Sequence, residues 1–374
     1  MAPVIVEMPQ REGDTVSARV VVDGKPVTLS YRAIPGPVSD DADPFLAAAL
    51  LPAMAVKQPI VVQGGISPKL LSSIHRIQGT LQAWKIGLTE TPVQAEPREA
   101  RAPSGAVGAF FSGGVDSFYT ALKRLDDVDA LIFLHGFDIA PERKVRSDEV
   151  IQGAERAATE LGKRLVVIET GYRKWATRYV EWRYAAGGII GSSALALAPQ
   201  FRRIYVPASH SYADAAPPYG THPLLDPFWS TEEVELAYDG YEATRLEKVQ
   251  AIAGDEVFLR WVRTCHRPTH EGTYNCGRCE KCVRAMIYLW LAGTLDRCTA
   301  FPNRLDPGVV ARVLIWPSNM IPNWEDDLRT VEASGKDPAI AEAMRRALRR
   351  ARAVRLKKRL TFWRRSAQSE RSGN

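Results

Sequence analysis

Ser112-Gly113-Gly114-Val115-Asp116-Ser117 decides how this chain is read. Before it, Val107-Gly-Ala-Phe-Phe111 is an apolar run with the length of a buried strand. After it, Phe118-Tyr-Thr-Ala-Leu122 begins a helical pattern. Strand, Gly-Ser loop and helix in that order let the backbone approach a ligand and aim the first helical amides at it. The helix dipole adds partial positive charge, so the stretch reads as an anion site whose natural occupant is a phosphate group. A Walker A loop is excluded, because no Lys followed by Ser or Thr comes after the glycines. The dinucleotide fingerprint is excluded too, because Ser117 stands where its third glycine belongs. A Gly-rich turn that merely joins a strand to a helix is the plain alternative.

The 374 residues are enough for two or three domains with a sizeable core. The composition is that of an ordinary globular protein. The first residues, Met1-Ala-Pro-Val-Ile-Val-Glu-Met8, lack the basic-then-apolar pattern of a signal peptide, and the most apolar window, 45–56, is too short to span a bilayer. The expectation is a cytoplasmic protein. The net charge of +6 hides an asymmetry. Residues 345–374 hold twelve Arg and Lys against one acid, Glu370, a local charge of +11, which leaves −5 for the rest of the chain. The body is mildly acidic, so its composition gives no sign of a basic nucleic-acid groove.

Residues 1–90 read as a small α+β domain. Asp23-Gly24 between two β-rich runs is a hairpin signal, 44–56 and 67–84 are helical in pattern, and 59–62 is a strand. Residues 91–105, rich in Pro, Glu and Ala, read as a linker. From 106 to 262, strands at 107–111, 130–134, 164–168 and 204–208 alternate with helices, which predicts a parallel sheet covered on both faces. Ligands in such sheets sit beyond the carboxyl ends of the strands. His135, Gly136 and Phe137 lie at one such end and are candidates for contact with an adenine. Residues 187–197 read as a small-residue turn entering a packed helix. The aperiodic stretch 212–230 reads as an ordered substrate loop carrying Asp214, His222 and Asp226. Residues 231–252 read as a helix on which Arg245 and Lys248 share a face, available to phosphate or to solvent.

Cys265 is followed by Cys276, Cys279 and Cys282, the last three spaced Cys-x-x-Cys-x-x-Cys. Two-residue gaps let thiolates converge on one ion, and four thiolates without an open position suit structural zinc. A [4Fe–4S] cluster is the alternative metal reading and a sulfur relay the catalytic one. Cys298 reads as a core residue.

The stretch Ser112–Ser117 resembles the pyrophosphate loop, Ser-Gly-Gly-x-Asp-Ser, of the ATP pyrophosphatases. Together with the cysteine run, residues 106 to about 297 look like the 7-cyano-7-deazaguanine synthase family. The resemblance implies a Rossmann-like α/β core of the PP-loop class with a four-Cys zinc module at 263–298; the N-terminal α+β domain and the helical basic region at 299–374 are additions to the minimal enzyme. By that resemblance Ser112, Gly113, Gly114, Val115, Asp116 and Ser117 bind ATP, Asp116 through Mg2+, and Asp116 and Ser117 serve catalysis. Cys265, Cys276, Cys279 and Cys282 bind Zn2+. The implied activity is a ligase that adenylates a small-molecule carboxylate or carbonyl oxygen, releases pyrophosphate and exposes the adenylate to ammonia, an amine or another nucleophile. The chain departs from the family in the ten residues between Cys265 and Cys276 and in having only Leu225-Asp226-Pro227 near the family's Tyr-Pro-Asp stretch.

Two other functions stay open: a tRNA-modifying or thiolating enzyme, and a nucleotide-binding partner module without turnover. Residues 301–334 read as Pro-punctuated chain anchored by Trp316 and Trp324, and Asp337-Pro338 starts a helix. The basic end of that helix suits nucleic acid, an acidic partner or an anionic membrane, or is a solvated tail. A homodimer is one open option for assembly.

Overall fold

The computed structural model describes residues 2–139, 142–214, 217–265, 274–316 and 320–371, with Asp214 and 357–371 described as backbone. The chain forms two compact units, Met1–Ile252 and Ala253–Asn374.

The first unit begins with four strands, β1 (Val4–Val6), β2 (Gln10–Glu12), β3 (Thr15–Val22) and β4 (Lys25–Ile34). The β3–β4 hairpin turns at Asp23 and Gly24, both in the left-handed region at φ 52° and 70°, as a two-residue hairpin matched to strand twist requires. Helix α1 (Asp43–Val56) is apolar nearly all round and buried on every side through Met54. Strand β5 (Ile60–Val62) leads to α2 (Pro68–Ala83), whose cap Ser67 accepts the Leu70 amide at 3.1 Å. Then come β6 (Val93–Gln94), β7 (Ala106–Phe110), α3 (Val115–Lys123), β8 (Ala130–His135), α4 (Lys144–Glu160), β9 (Arg164–Thr170), α5 (Tyr172–Ala176), α6 (Trp182–Ala196), β10 (Phe201–Pro207), β11 (Glu235–Asp239) and α7 (Arg245–Ile252).

Among the described residues all eleven strands join one sheet, ordered β11-β10-β7-β8-β9-β4-β3-β1-β5-β6, with β2 paired to β3. The five strands from β11 to β9 are parallel. Strand β4 pairs antiparallel with β9, so the N-terminal strands extend the sheet rather than fold apart. One apolar core runs through α1, α2, α5, α6 and both halves of the sheet. The boundary expected between 1–90 and 106–262 therefore does not divide this unit. The expected linker 91–105 is tied down: β6 pairs with β5, Arg98 binds Asp43 at 3.0 Å, and Arg101 binds Glu233 at 2.9 Å. Its charged composition serves ion pairs rather than solvation.

Two further expectations are corrected. Residues 187–191 form no turn; they lie inside α6, where each glycine admits a neighbour. A Cβ at Gly187 would lie 2.2 Å from the Gly220 carbonyl oxygen, and one at Gly191 would lie 2.7 Å from the Trp229 ring. Residues 231–252 are not one helix: β11 forms the sheet edge before α7 begins. Glu235-Leu-Ala-Tyr-Asp239 has helix-compatible composition, and its pairing with β10 overrides that preference.

In the second unit, α8 (Glu256–Trp261) is capped by Asp255, which accepts the Phe258 amide at 2.7 Å. Helices α9 (Glu280–Leu291), α10 (Pro307–Arg312), α11 (Ile321–Ser334) and α12 (Pro338–Arg371) follow. A buried network fastens α9 to α11: Arg284 to Asp327 at 2.8 Å, Tyr288 to Asp327 at 2.8 Å, and Trp324 to Glu280 at 3.0 Å. Trp324 is the packing anchor expected; Trp316 is instead exposed. The four-Cys segment and these helices form one unit rather than the two expected at 263–298 and 299–374. No described helix is long and apolar enough to cross a membrane.

The α6 contacts give a direct test. Gly187→Ala must push two backbones apart and is expected to cost about 1–3 kcal/mol. Gly254→Ala, where nothing lies within 4 Å, is expected to leave the urea midpoint unchanged.

Candidate functional site

Strand β7 lies inside the parallel part of the sheet, with β8 and β9 on one side and β10 and β11 on the other. The chain steps outward from β7 to β9, then returns to place β10 beside β7. Such a reversal opens a crevice beyond the carboxyl ends of the two central strands, where ligands of open α/β sheets bind. Ser112–Ser117 follows β7 directly, and residues 208–211 follow β10.

The loop is held by its own side chains. Ser117 Oγ donates to the Gly114 carbonyl at 2.9 Å and accepts the Ser112 amide at 3.3 Å; the Gly114 amide donates to Ser112 Oγ at 3.3 Å. Gly113 turns the chain at φ 75°, a conformation that favours glycine. Gly114 is the cap residue of α3 and brings no side chain to the amides of that first turn. Amides at this helix end carry the partial charge that attracts an anion.

Arg245 and Lys248 belong here rather than to solvent. From the first turns of α7, Arg245 Nη2 reaches Asp116 Oδ2 at 2.7 Å, and Lys248 Nζ reaches Asp116 Oδ1 at 3.3 Å. Both also donate beyond β10: Lys248 to the Ala208 carbonyl at 2.6 Å and Arg245 to that of Ser209 at 3.4 Å. The Lys248 side chain is 2 % exposed. Burial pushes the Asp116 carboxyl up, but attraction to Arg245 and Lys248 outweighs it and holds the group below the usual carboxylate range. Asp239 at the end of β11 ties α3 to the sheet, binding Arg124 at 2.8 Å and Thr120 at 3.0 Å. Two cations, one carboxylate and the amides of the first α3 turn thus face one crevice from two chain segments.

The other expected residues divide. His135 has both ring nitrogens engaged, Nδ1 with Glu169 at 2.9 Å and Nε2 with Ser147 at 3.1 Å, so its ring braces β8 against β9 and α4. Gly136 takes φ 98°, and Phe137 packs edge-on to Trp182 at 5.0 Å. Arg173 stacks over the same Trp182 ring at 4.3 Å. The Tyr219 hydroxyl is pushed up by burial and then by Asp138, and it also feels Arg245, Arg173 and Asp116. Arg173, Trp182 and Phe137 thus form one cluster past the carboxyl ends of β8 and β9, though no motif marks Arg173 or Trp182. Their signal was position: Arg173 comes just past the carboxyl end of β9.

The Asp214 side chain lies outside the described residues. His222 is buried; its Nδ1 accepts the Leu224 amide at 3.0 Å and its ring packs on Trp84, the contacts of a turn residue. Asp226 is fully buried, and neither carboxylate oxygen has a side-chain or water partner among the described residues. Burial holds its carboxyl well above the usual range.

In the second unit the four Cys sulfurs lie within 4.8 Å of one another. Tetrahedral zinc with Zn–S bonds of about 2.3 Å needs sulfurs roughly 3.8 Å apart; Cys276 and Cys282 are 3.8 Å apart. The group can hold a metal ion such as zinc. Gly277 at φ 64° folds the chain so that the Cys279 amide donates to Cys276 Sγ at 3.3 Å. The unusual gap after Cys265 is closed by Asn275, whose Oδ1 accepts the Thr264 and Cys265 amides at 2.9 and 3.2 Å. The hydrogen bond to Cys265, then burial and Cys276, push the Cys279 thiol up to about 12 against the lowering effect of Cys282. Such a cluster ionises readily only around a cation. Cys298 is buried, as expected, and donates to the Leu259 carbonyl at 3.1 Å.

No protein-family model matches the chain, and neither a curated protein nor a solved structure matches it.

Two outcomes are expected. Asp116→Asn leaves Lys248 buried without its counter-charge, at a cost of about 1–3 kcal/mol near pH 7. A carboxyl held low stabilises the fold above its unfolded value, near 3.9, and loses that contribution as pH falls through the folded one. The gap between wild type and variant in urea unfolding should therefore narrow as pH drops below 4. Elemental analysis of protein purified without chelator should find one metal ion per chain, and Cys276→Ser should abolish it.

Proposed function

We propose that the chain is an ATP-dependent ligase of the ATP-pyrophosphatase type, built on a PP-loop, Rossmann-like core. The observation that carries this reading is the convergence of Arg245 and Lys248 on Asp116 at the mouth of the Ser112–Ser117 loop, beyond the carboxyl ends of β7 and β10. A surface turn has no need of a buried lysine and an arginine from a distant helix. A polyphosphate has: it carries more charge than one helix end can balance.

In this reading the amides of the first α3 turn and the hydroxyls of Ser112 and Ser117 cradle the β and γ phosphates. Arg245 and Lys248 supply positive charge where the pyrophosphate leaves. Phosphate oxygens then compete with Asp116 for the two cations, and Asp116, the loop's one carboxylate, is freed to hold Mg2+. The donor set fits, since Mg2+ on nucleotides usually takes one or two carboxylates plus phosphate oxygens. When bound, the ion offsets phosphate charge. A carboxylate or carbonyl oxygen of the substrate attacks the α phosphorus, the bond to the bridging oxygen breaks, and pyrophosphate departs. Ammonia, an amine or another nucleophile attacks the activated carbon, and AMP leaves with the substrate oxygen. Phe137, Trp182 and Tyr219 offer apolar and aromatic surface for a base or substrate ring.

A structural zinc fits the four-Cys group better than a sulfur relay, because all four sulfurs lie within 4.8 Å of one another, close enough to serve one ion and leave no thiolate over. Iron–sulfur cubanes interpose four irons and hold their cysteine sulfurs farther apart.

The test is product analysis after incubation with ATP, Mg2+, ammonia and a panel of carboxylates. AMP and pyrophosphate in equal amounts, dependent on one acid, are expected; ADP and phosphate would refute the reading. Arg245→Gln should lower kcat/KM at least 100-fold, with Asp116→Ala losing turnover altogether.

A further inference from the structure

Residues 217–230 run from the lip of the crevice into the core of the first unit. At the lip, Tyr219 packs edge-on to His210 at 5.7 Å, beside Ser209, whose carbonyl takes Arg245. Gly220 donates to the Arg183 carbonyl at 2.7 Å. The stretch ends in a single 3-10 turn, Asp226–Trp229, packed against α2, α6 and β11. The His222 carbonyl accepts the amides of Leu225 and Asp226, both at 2.9 Å, and Trp229 is seated against Gly191 of α6.

Leu225 and Trp229 are buried anchors of the kind a packed turn needs. Asp226 is not. It is 0 % exposed, and neither carboxylate oxygen is hydrogen-bonded among the described residues. Trp229 Nε1, three residues on, is unbonded as well. The backbone of His222 lowers the carboxyl, but burial raises it by more. The charges of the surrounding elements are engaged elsewhere. On α2, Lys69 donates to the Thr231 carbonyl at 3.2 Å, Arg76 lies over the Phe228 ring at 5.3 Å, and His75 is exposed. On α6 the one charged side chain, Arg183, pairs with Glu181 at 2.9 Å. On β11, Glu235 binds Arg203 and Asp239 binds Arg124. Tyr238 of β11 is raised above its ordinary range by burial first and by Asp226 next. His222, on the stretch itself, packs its ring on Trp84.

A carboxyl with neither counter-charge nor donor is tolerated as the neutral acid and is costly as the anion. Once the stretch opens, water solvates the group and its pKa returns to about 3.9. Opening is therefore linked to the loss of one proton. Between about 3.9 and the pKa of the packed acid, each pH unit favours the open form by about tenfold; above the packed value the gain stops.

We propose that Asp226 is the catch of a pH-sensitive latch: protonated, it keeps residues 217–230 packed and the crevice lip in place, and on losing its proton it releases them. The inference rests on this turn and does not depend on the reading of the Ser112–Ser117 site.

Hydrogen–deuterium exchange of the full chain, read by mass spectrometry between pH 5 and 8, tests it. Each rate is divided by the intrinsic exchange rate, which itself rises with pH. In the wild type, protection of the Leu225, Asp226 and Phe228 amides is expected to fall by at least about tenfold across this range, while protection within α1 changes by less than about threefold. Asp226→Asn has no proton to lose and should hold protection at 225–228 constant within about threefold. Flat protection in the wild type would overturn the proposal, because no proton would then be linked to opening. A parallel fall in Asp226→Asn would overturn it by showing that another group titrates. An equal fall in α1 would do so by showing that the whole unit opens rather than this stretch. If Asp226→Asn does not fold, the wild-type comparison of 225–228 with α1 decides alone.

Discussion

Asp116 sits between two cations that come from another helix, and much of the first unit is arranged to make that contact. The carboxylate lies in the first turn of α3, at the positive end of the helix. Arg245 and Lys248 arrive from α7, 129 and 132 residues along the chain. A buried lysine is expensive, and here it is held by Asp116 and by the Ala208 carbonyl. Remove either partner and a desolvated charge is left behind. The contact therefore ties the loop after β7 to the segment after β10, the two lips of the crevice.

The sheet explains why that crevice exists. Strands β8 and β9 are laid down on one side of β7, and α6 returns the chain so that β10 lands on the other. Three glycines of α6 let Gly220, Tyr172 and Trp229 come close, so the return passes through a tight core. The N-terminal strands continue the sheet beyond β9 and cover it with α1 and α2. The second unit has its own logic: a four-thiol knot that can take a metal, and a buried Arg284–Asp327–Tyr288 network that fastens its helices.

What could be read in the sequence was local. The strand–loop–helix around Ser112–Ser117, the Asp23-Gly24 hairpin and the converging cysteines each depend on neighbours within a few residues, and each is present as expected. What escaped depends on distant chain. Strand β11 has the residues of a helix and becomes a strand because β10 offers an edge. The charged stretch 91–105 looks like a linker until Asp43 and Glu233, far apart in sequence, are seen to hold it. Arg245 and Lys248 were visible as a pair on one helix face, but not as partners of Asp116. His135 stood at a strand end as expected, yet Glu169 and Ser147 claim its ring. Arg173, Trp182 and Tyr219 carry no motif at all.

The central claim is that polyphosphate replaces Asp116 as the partner of Arg245 and Lys248. A crystal structure with Mg2+ and the non-cleavable α,β-methylene analogue of ATP tests it most directly. The account predicts phosphate oxygens within hydrogen-bond distance of the first α3 amides, Arg245 and Lys248, with Asp116 turned to the metal. Analogue bound elsewhere, with the Asp116 ion pairs intact, would contradict it.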